Sequence, residues 1–516
     1  MLRQLRKVFG CDSRSLALFR IAIAVLIMVD IVDRFPHSEA FYSEQGIFPS
    51  ELSKLESPFG WSLNYLSGTV VFQQSIFISL AIAALSLAVG FYTRIATLIC
   101  WILIVSIHVR NPLVLIGGDT LLRLLLFWSL FVPLGKSWSW DAFQRQKKSL
   151  KSDTAAPEDT LVSSVGTGCL IIQVFIMYWF AGLSKITEPW LTGTAMEYVL
   201  RLEIYVRPVG AWMLHYPEVL KWLTFSTLAL ELVVPFFLFL PFWNARFRLL
   251  AMLIFWSLHI GIELSLDVGL FGIISMMAWF PIIPGVVWDR LGKSQTRVFD
   301  QQGAVVQSRR SLSTRVTNAV ALFFLLYIIV WNTANIEFKG KSSWTGKLPP
   351  SFFPLGYTTM VAQNFQMFGN PPRFNPWFVY YARLRNGEEV DLLRKCPVDY
   401  ARPDAATRIY ASIRWKKLHR FLLRHEGHNV FHQSILEYFI REWNRAHSEK
   451  EKVRLARIEV FFEPIGPEYL QGDYIKAKDL AFWELKEPVE KSDDELLGEI
   501  DSMIRQFESG SLIERH

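Results

Sequence analysis

Lys185 closes the stretch Tyr178-Trp-Phe-Ala-Gly-Leu-Ser-Lys185, at the end of an apolar run that begins at Gly168. Behind it come Pro189, which breaks a helix, the interface-type residue Trp190, and Gly193. A lysine so placed either snorkels its ammonium toward lipid headgroups or is held partly desolvated. In the second case burial disfavours the charged form. A fraction of the amine is then neutral near neutral pH and can serve as a general base. Ionisable side chains at membrane depth are costly, so each of the others is also a candidate. Asp119 and Arg123 stand one helical turn apart and can pair with each other. Gly117-Gly118, just before them, permits close backbone approach or an unwound turn. Glu231 and His259 fall in two further apolar segments, where helix–helix hydrogen bonding is the plainer role. Arg20 either reaches the inner interface or pairs with Asp30 or Asp119.

These groups need long apolar elements to hold them, and the composition supplies them. Of 516 residues 51% are hydrophobic, with 19 Trp and 40 Phe, and mean hydropathy is +0.24. A soluble chain of this size is more polar, which points to a multi-pass membrane protein. A net charge of +7 is small for the length, and nothing in its placement points to nucleic acid. Cys11, Cys100, Cys169 and Cys396 show no metal-ligand spacing, and no metal is expected. A Cys100–Cys396 bridge is left open. The first apolar segment lacks a small-x-small cleavage site and runs into Asp33 and Arg34, so it reads as a retained span.

Apolar segments recur at Leu16–Ile31, Thr69–Gly90, Ile95–His108, Leu113–Phe131, Gly168–Leu183, Leu223–Phe242, Leu249–Glu263, Val268–Pro284 and Thr317–Trp331. A span needs about 20 apolar residues, and several of these fall short. The expectation is therefore an all-α bundle of eight or nine transmembrane helices, with the third and fourth segments as a tight hairpin in the shorter count. Basic residues crowd the N-terminal stretch, the Lys136–Lys151 loop and the Arg290–Arg315 loop. Positive charge favours the cytoplasmic side, which puts the N-terminus inside and Lys185 on the outer face. Residues 1–332 form the membrane domain on this reading, 333–354 a linker, 355–487 a mixed α/β extracytoplasmic domain, and 488–516 a charged helix or tail. The segment Lys151–Ser164 reads as an inner loop, and the aromatic-rich stretch from Thr187 to Lys221 as amphipathic cover on the outer surface. In the outer domain Trp377–Leu384, Asn386-Gly387 and Glu388–Leu393 read as a β-hairpin. Thr407–Ile413, Ala456–Pro464 and Leu480–Leu485 read as strands, and Arg414–Leu423 and Ser434–Ala446 as helices.

The string from Tyr178 to Lys185, then Trp190, Gly193 and Glu197-Tyr198, resembles the vitamin K-dependent γ-carboxylase family. More broadly it is similar to the horizontally transferred transmembrane (HTTM) domain that bacterial proteins share with that enzyme. Leu18-Phe19-Arg20-Ile21, Tyr42 with Gly46-Ile47-Phe48-Pro49, and Gly117-Gly118-Asp119 through Trp138-Ser-Trp140-Asp141 carry the likeness along the bundle. His259 followed by Phe271 extends it. Asn364-Phe-Gln-Met367-Phe368, the Asn386-Gly387 turn and Arg414-Trp415-Lys416 continue it, so that it runs from about residue 8 to residue 465. The resemblance implies that Lys185 is the base that deprotonates reduced vitamin K or menaquinol. It further implies that O2 and CO2 are consumed in carboxylating a glutamyl residue of a protein or peptide on the outer face. Asp119, Arg123, Glu231, His259, Tyr178 and Trp190 then line the pocket. It places the protein in a bacterial inner membrane. The carboxylases carry an important histidine in the span matched by Gly117-Gly118-Asp119; this chain has none there, and His108 stands one span-end earlier. The competing expectation is a non-enzymatic membrane anchor whose outer domain binds a partner, with Lys185 turned to the headgroups.

Overall fold

The computed structural model describes residues 2–151, 160–291, 312–336, 347–403, 409–410, 412–423, 430–465 and 475–485. Part of the expected inner loop (152–159), most of the basic Arg290–Arg315 loop, the middle of the linker (337–346) and the charged tail (488–516) lie outside the described residues.

The principal helices are α1 (Ser13–Arg34), α2 (Val70–Val89), α3 (Thr93–Arg110), α4 (Gly117–Ser129), α5 (Val165–Ser184), α6 (Pro217–Val233), α7 (Asn244–Ser265), α8 (Phe271–Met277) and α9 (Leu312–Ala334). Their ends follow from local chemistry. The Asp12 carboxylate accepts the Arg14 N–H at the start of α1. Ser164 and Thr167 cap α5 reciprocally. Gly90 ends α2 in the left-handed conformation, φ +75°. Among the described residues seven helices are long and apolar enough to cross a membrane, or eight if the pair Phe271–Ile282 and Gly285–Leu291, bent by 87°, counts as one. The fourth apolar segment yields only the 13-residue α4, almost wholly buried. The eighth breaks after α8, where Pro281 and Pro284 cannot continue a helix. The helices differ sharply in burial. Of the apolar window of α5, 72% is enclosed, against 22% of that of α7. The helix that carries Lys185 sits at the centre of the bundle, while α7 offers most of its surface outward.

Arg20 corrects one expectation. It is fully buried and pairs with no aspartate. Its guanidinium instead donates to the carbonyls of Ala88, Leu134, Ser137 and Trp138, tying α1 to the last turn of α2 and the loop after α4.

The C-terminal part is a five-stranded antiparallel sheet with two helices. Its strands are β1 (Phe374–Leu384), β2 (Glu389–Asp391), β3 (Cys396–Pro397), β4 (Val453–Pro464) and β5 (Ile475–Glu484), in the spatial order β3-β2-β1-β4-β5. The hairpin turns where Gly387 takes φ +92° and Asn386 accepts the Glu388 N–H. Helices α10 (Ile413–Leu422) and α11 (Val430–Ala446) follow. The strand expected over Thr407–Ile413 is not formed by its described residues; Ile413 instead opens α10 behind Ser412. All four cysteines are free, with Cys100 buried and Cys396 exposed, so the bridge left open is not made.

Sheet and bundle share a seam. Residues 360–369 lie along the bundle, where Trp331 donates to the Gln363 carbonyl and Gln173 to the Gln363 side chain. The Gly369 carbonyl accepts from Thr187, and the Phe368 carbonyl from Trp190.

Candidate functional site

Lys185 is the C-cap of α5 and is only 6% exposed. Its ammonium stands 2.7 Å from Glu231 Oε2 of α6, at the edge of contact with the Ala181 carbonyl, and 5.4 Å from the centre of the Trp190 ring. The amine is therefore folded back into the bundle, away from headgroups. Trp190 is 1% exposed, held under the outer segment by its bond to Phe368, so it acts here as a buried lid and not as an interface anchor. Gly182 explains how Glu231 comes so near. A Cβ there would lie 3.1 Å from the Glu231 Cβ and 3.2 Å from its carbonyl carbon, so a side chain at this position would push α6 back by a few tenths of an ångström.

Tyr178 lies seven residues before Lys185 on the same helix and is buried. Its ring stacks on Phe255 at 3.7 Å, and Phe255 stacks on Trp279. The hydrogen bonds fix a direction. Trp279 Nε1–H can only donate, and it does so to the Tyr178 hydroxyl oxygen at 3.1 Å. The Tyr178 O–H is then free to donate to His259 Nε2, 2.9 Å away. This leaves the proton of a neutral His259 on Nδ1, a buried donor with no partner among the described residues. His259 is within electrostatic reach of Lys185. A buried donor without an acceptor is costly unless something else satisfies it.

Asp119 and Arg123 belong to a different group, and they do not pair with each other. Asp119 Oδ1 accepts from Arg34 at 2.6 Å; its Oδ2 accepts from Arg414 at 3.0 Å and from the Ile116 N–H at 2.8 Å. Arg34 also bonds Asp30 and Tyr42, while Arg414, arriving from α10, bonds Asp30, Asp33 and the Val114 carbonyl. Arg123 turns to His108 Nδ1 at 3.1 Å and to the Met360 carbonyl at 2.7 Å. A same-helix pair contributes only tenths of a kcal/mol, whereas two forked guanidiniums from other elements satisfy the carboxylate almost completely. His108 lies between two guanidiniums, with Nδ1 3.1 Å from Arg123 and Nε2 3.3 Å from Arg34; a neutral imidazole accepts from one of them, and its Nε2 stands 3.9 Å from Asp119. The fold thus returns an imidazole to the side of Asp119 from one helix earlier in the chain. Gly118 lets α4 pack closely on the start of α8, since a Cβ there would meet the Phe271 backbone at 3.1 Å. Asp30, His108 and Asp119 also offer clustered ligand atoms, but the guanidinium groups of Arg34 and Arg414 occupy that space and oppose a cation.

Trp279, Asp30, Arg34, Tyr42 and Arg414 are not among the pocket residues expected from the sequence. Composition marks none of them: Arg414 lies 295 positions from Asp119 in a segment that reads as an ordinary charged helix.

A family model of the HTTM domain matches residues 10–288. The chain belongs to the HTTM domain family. The match takes in α1 to α8, and with them the Lys185 group and every member of the Asp119 group except Arg414. No curated protein and no solved structure matched the chain. The apolar helices make this HTTM protein an integral membrane protein.

Proposed function

We propose that this HTTM protein is a membrane-embedded enzyme in which Lys185 is the base toward a reduced naphthoquinone such as menaquinol. Oxidation by O2 is coupled to addition of CO2 at a glutamyl residue of a peptide on the outer face. The observation that carries the reading is the buried Lys185–Glu231 pair beside the unpartnered His259 Nδ1–H. The residues suit the group: a flat, lipid-soluble diol would find aromatic rings, an amine and a spare donor. Trp190 and Tyr178 would flank it, and His259 would hold one of its oxygens. When bound, the quinol supplies an acidic hydroxyl and an oxidisable ring.

The chain's own groups do the rest. Glu231 can take the proton of Lys185, because the transfer removes two buried charges at once. The freed amine then accepts the hydroxyl proton, and the His259 Nδ1–H donates to the oxygen that loses it. Trp190 and residues 367–369 keep bulk water from the base. The same reading keeps the N-terminus cytoplasmic and the sheet domain on the outer face. Support comes from the contacts at the two ends. The start of α1, the ends of α2 and α4, and the start of α7 meet around Arg20 and Arg248. The ends of α1, α3 and α5 lie at the opposite end, with α10 seated on the first of them. A bacterial inner membrane fits this orientation.

The test is turnover in purified protein supplied with reduced naphthoquinone, labelled bicarbonate and a glutamyl peptide. Label should enter the peptide, and Lys185→Ala should lower the rate about a hundredfold or more. Unchanged turnover in Lys185→Ala would remove Lys185 as the base. Absence of turnover with every naphthoquinol would leave a membrane anchor presenting its outer domain.

A further inference from the structure

A second site lies away from the Lys185 group. A cavity of ≈ 320 Å³ opens at the seam between bundle and sheet domain, with Tyr410, Trp415, Tyr438, Phe439 and Trp443 as its aromatic walls. That volume is at the small end of the range for pockets that hold organic ligands. His37 enters from the turn after α1, Lys395 from the loop after β2, and Glu442 and His447 from α11 and its end. Helix α11 buries one face, with Phe431, Ile435, Leu436 and Ile440, in the core. Its residues 438, 439, 442, 443 and 446 form a second stripe that lines the cavity.

The hydrogen bonds around the cavity are unequally used. Glu442, the one carboxylate, is held by Arg445 at 2.7 Å. Trp443 Nε1 donates to the Glu451 carbonyl, and His447 stacks flat on Trp443 with its Nδ1 donating to the Trp443 carbonyl. By contrast, the Trp415 indole N–H, the Tyr410 and Tyr438 hydroxyls and the Lys395 ammonium make no hydrogen bond among the described residues. Tyr410 is 8% exposed as a residue and lines the cavity. The backbone holds Lys395 in place. It takes φ +55°, and Asp391 fastens the turn by accepting the N–H groups of Leu393, Arg394 and Lys395. What remains open is a set of donors and one cation around a flat apolar space.

We propose that this cavity binds an aromatic group that carries a carboxylate. The rings take the flat body, and Lys395 with the Trp415 N–H and the tyrosine hydroxyls takes the anion. A cationic ligand would meet Lys395 and no free acid. A neutral hydrocarbon would leave the indole N–H, which can only donate, unsatisfied. The ligand comes either as a free aromatic acid or as the carboxy-terminal aromatic residue of a peptide. The inference does not rest on the reading of Lys185.

The experiment is isothermal calorimetry on the full chain in nanodiscs. The probes are indole-3-propionate, its neutral amide, and short peptides ending in tryptophan as acid or amide. The acid should bind at least about tenfold more tightly than the amide, as a charge-assisted bond implies. Lys395→Met, a change at an exposed side chain, should bring the acid down to the amide, and Tyr410→Phe should weaken it less. Lys185→Met together with Glu231→Gln, which removes both buried charges, should leave binding unchanged, which separates this site from the other. A peptide acid that binds tighter than indole-3-propionate supports a peptide source, and the reverse supports a free acid. Equal binding of acid and amide, binding that survives Lys395→Met, or no binding of any probe would overturn the proposal.

Discussion

Two buried polar groups lie in the same HTTM bundle, and they are built on opposite principles. Around Asp119 each carboxylate oxygen is taken by a guanidinium or a backbone N–H, and His108 accepts from one of the two arginines that flank it. Around Lys185 there is a single ion pair, a tyrosine that passes its proton bond to His259, and a His259 nitrogen with no partner among the described residues. A saturated group has no proton to exchange and holds elements together; an under-satisfied one keeps a donor and a base available. The first ties the sheet domain to the bundle through Arg414, and the second is where chemistry can occur.

The sharpest way to break the comparison is Asp119→Ala. Two buried guanidiniums lose a shared anion, so thermal unfolding in detergent should show a loss of about 3–5 kcal/mol. A near-neutral result would mean that the group is no structural lock. Next comes the pair Lys185→Met with Glu231→Gln, which removes both charges together. Stability should stay within about 1 kcal/mol, while turnover falls about a hundredfold or more. If unfolding shifted as much as in Asp119→Ala, the two groups would not differ in kind. Gly182→Val is milder. Its side chain would press on the Glu231 backbone at a cost of about 1–3 kcal/mol and push Glu231 off Lys185. Restored activity on adding Glu231→Asp would trace the loss to that displacement.

The smallest effect concerns the seam itself. Lys416 reaches Asp267 at 2.6 Å. Burial pushes the Asp267 carboxyl up, but the Lys416 hydrogen bond and charge outweigh it and hold the group below its usual value. Because the folded value is the lower one, the stabilisation is complete above the unfolded value of about 3.9 and is lost as pH falls through the folded value. Lys416→Met should therefore cost about 1 kcal/mol at neutral pH, and the cost should shrink as the pH falls below the unfolded value. Denaturation of variant and parent across that range checks it.

Much of the bundle was legible because each long apolar run carries its own instruction. Runs such as Val70–Val89 and Val165–Ser184 exceed the length a soluble core helix needs and are punctuated by caps and glycines. The Asn386-Gly387 hairpin was legible for the same local reason. The segment over Thr407–Ile413 misled, since a short run with Ile409, Tyr410 and Ile413 fits a strand or a buried helix start equally well. The fourth segment misled in length: its apolar character came from lying at the centre of the protein, not from spanning lipid.

Of the candidate residues, the sequence by itself determined that Glu231, His259, Asp119 and Arg123 would lie among apolar residues, because the hydropathy around each is a local property; for Lys185 it left headgroups and interior both open. It also marked Gly117-Gly118 as a place where backbones could meet. Which charge pairs with which was decided only by the tertiary structure. Glu231 reaches Lys185 across 46 positions, and Arg414 reaches Asp30 across 384. Such partners are chosen by helix packing, which sums many weak contacts along whole elements and leaves no mark at either residue.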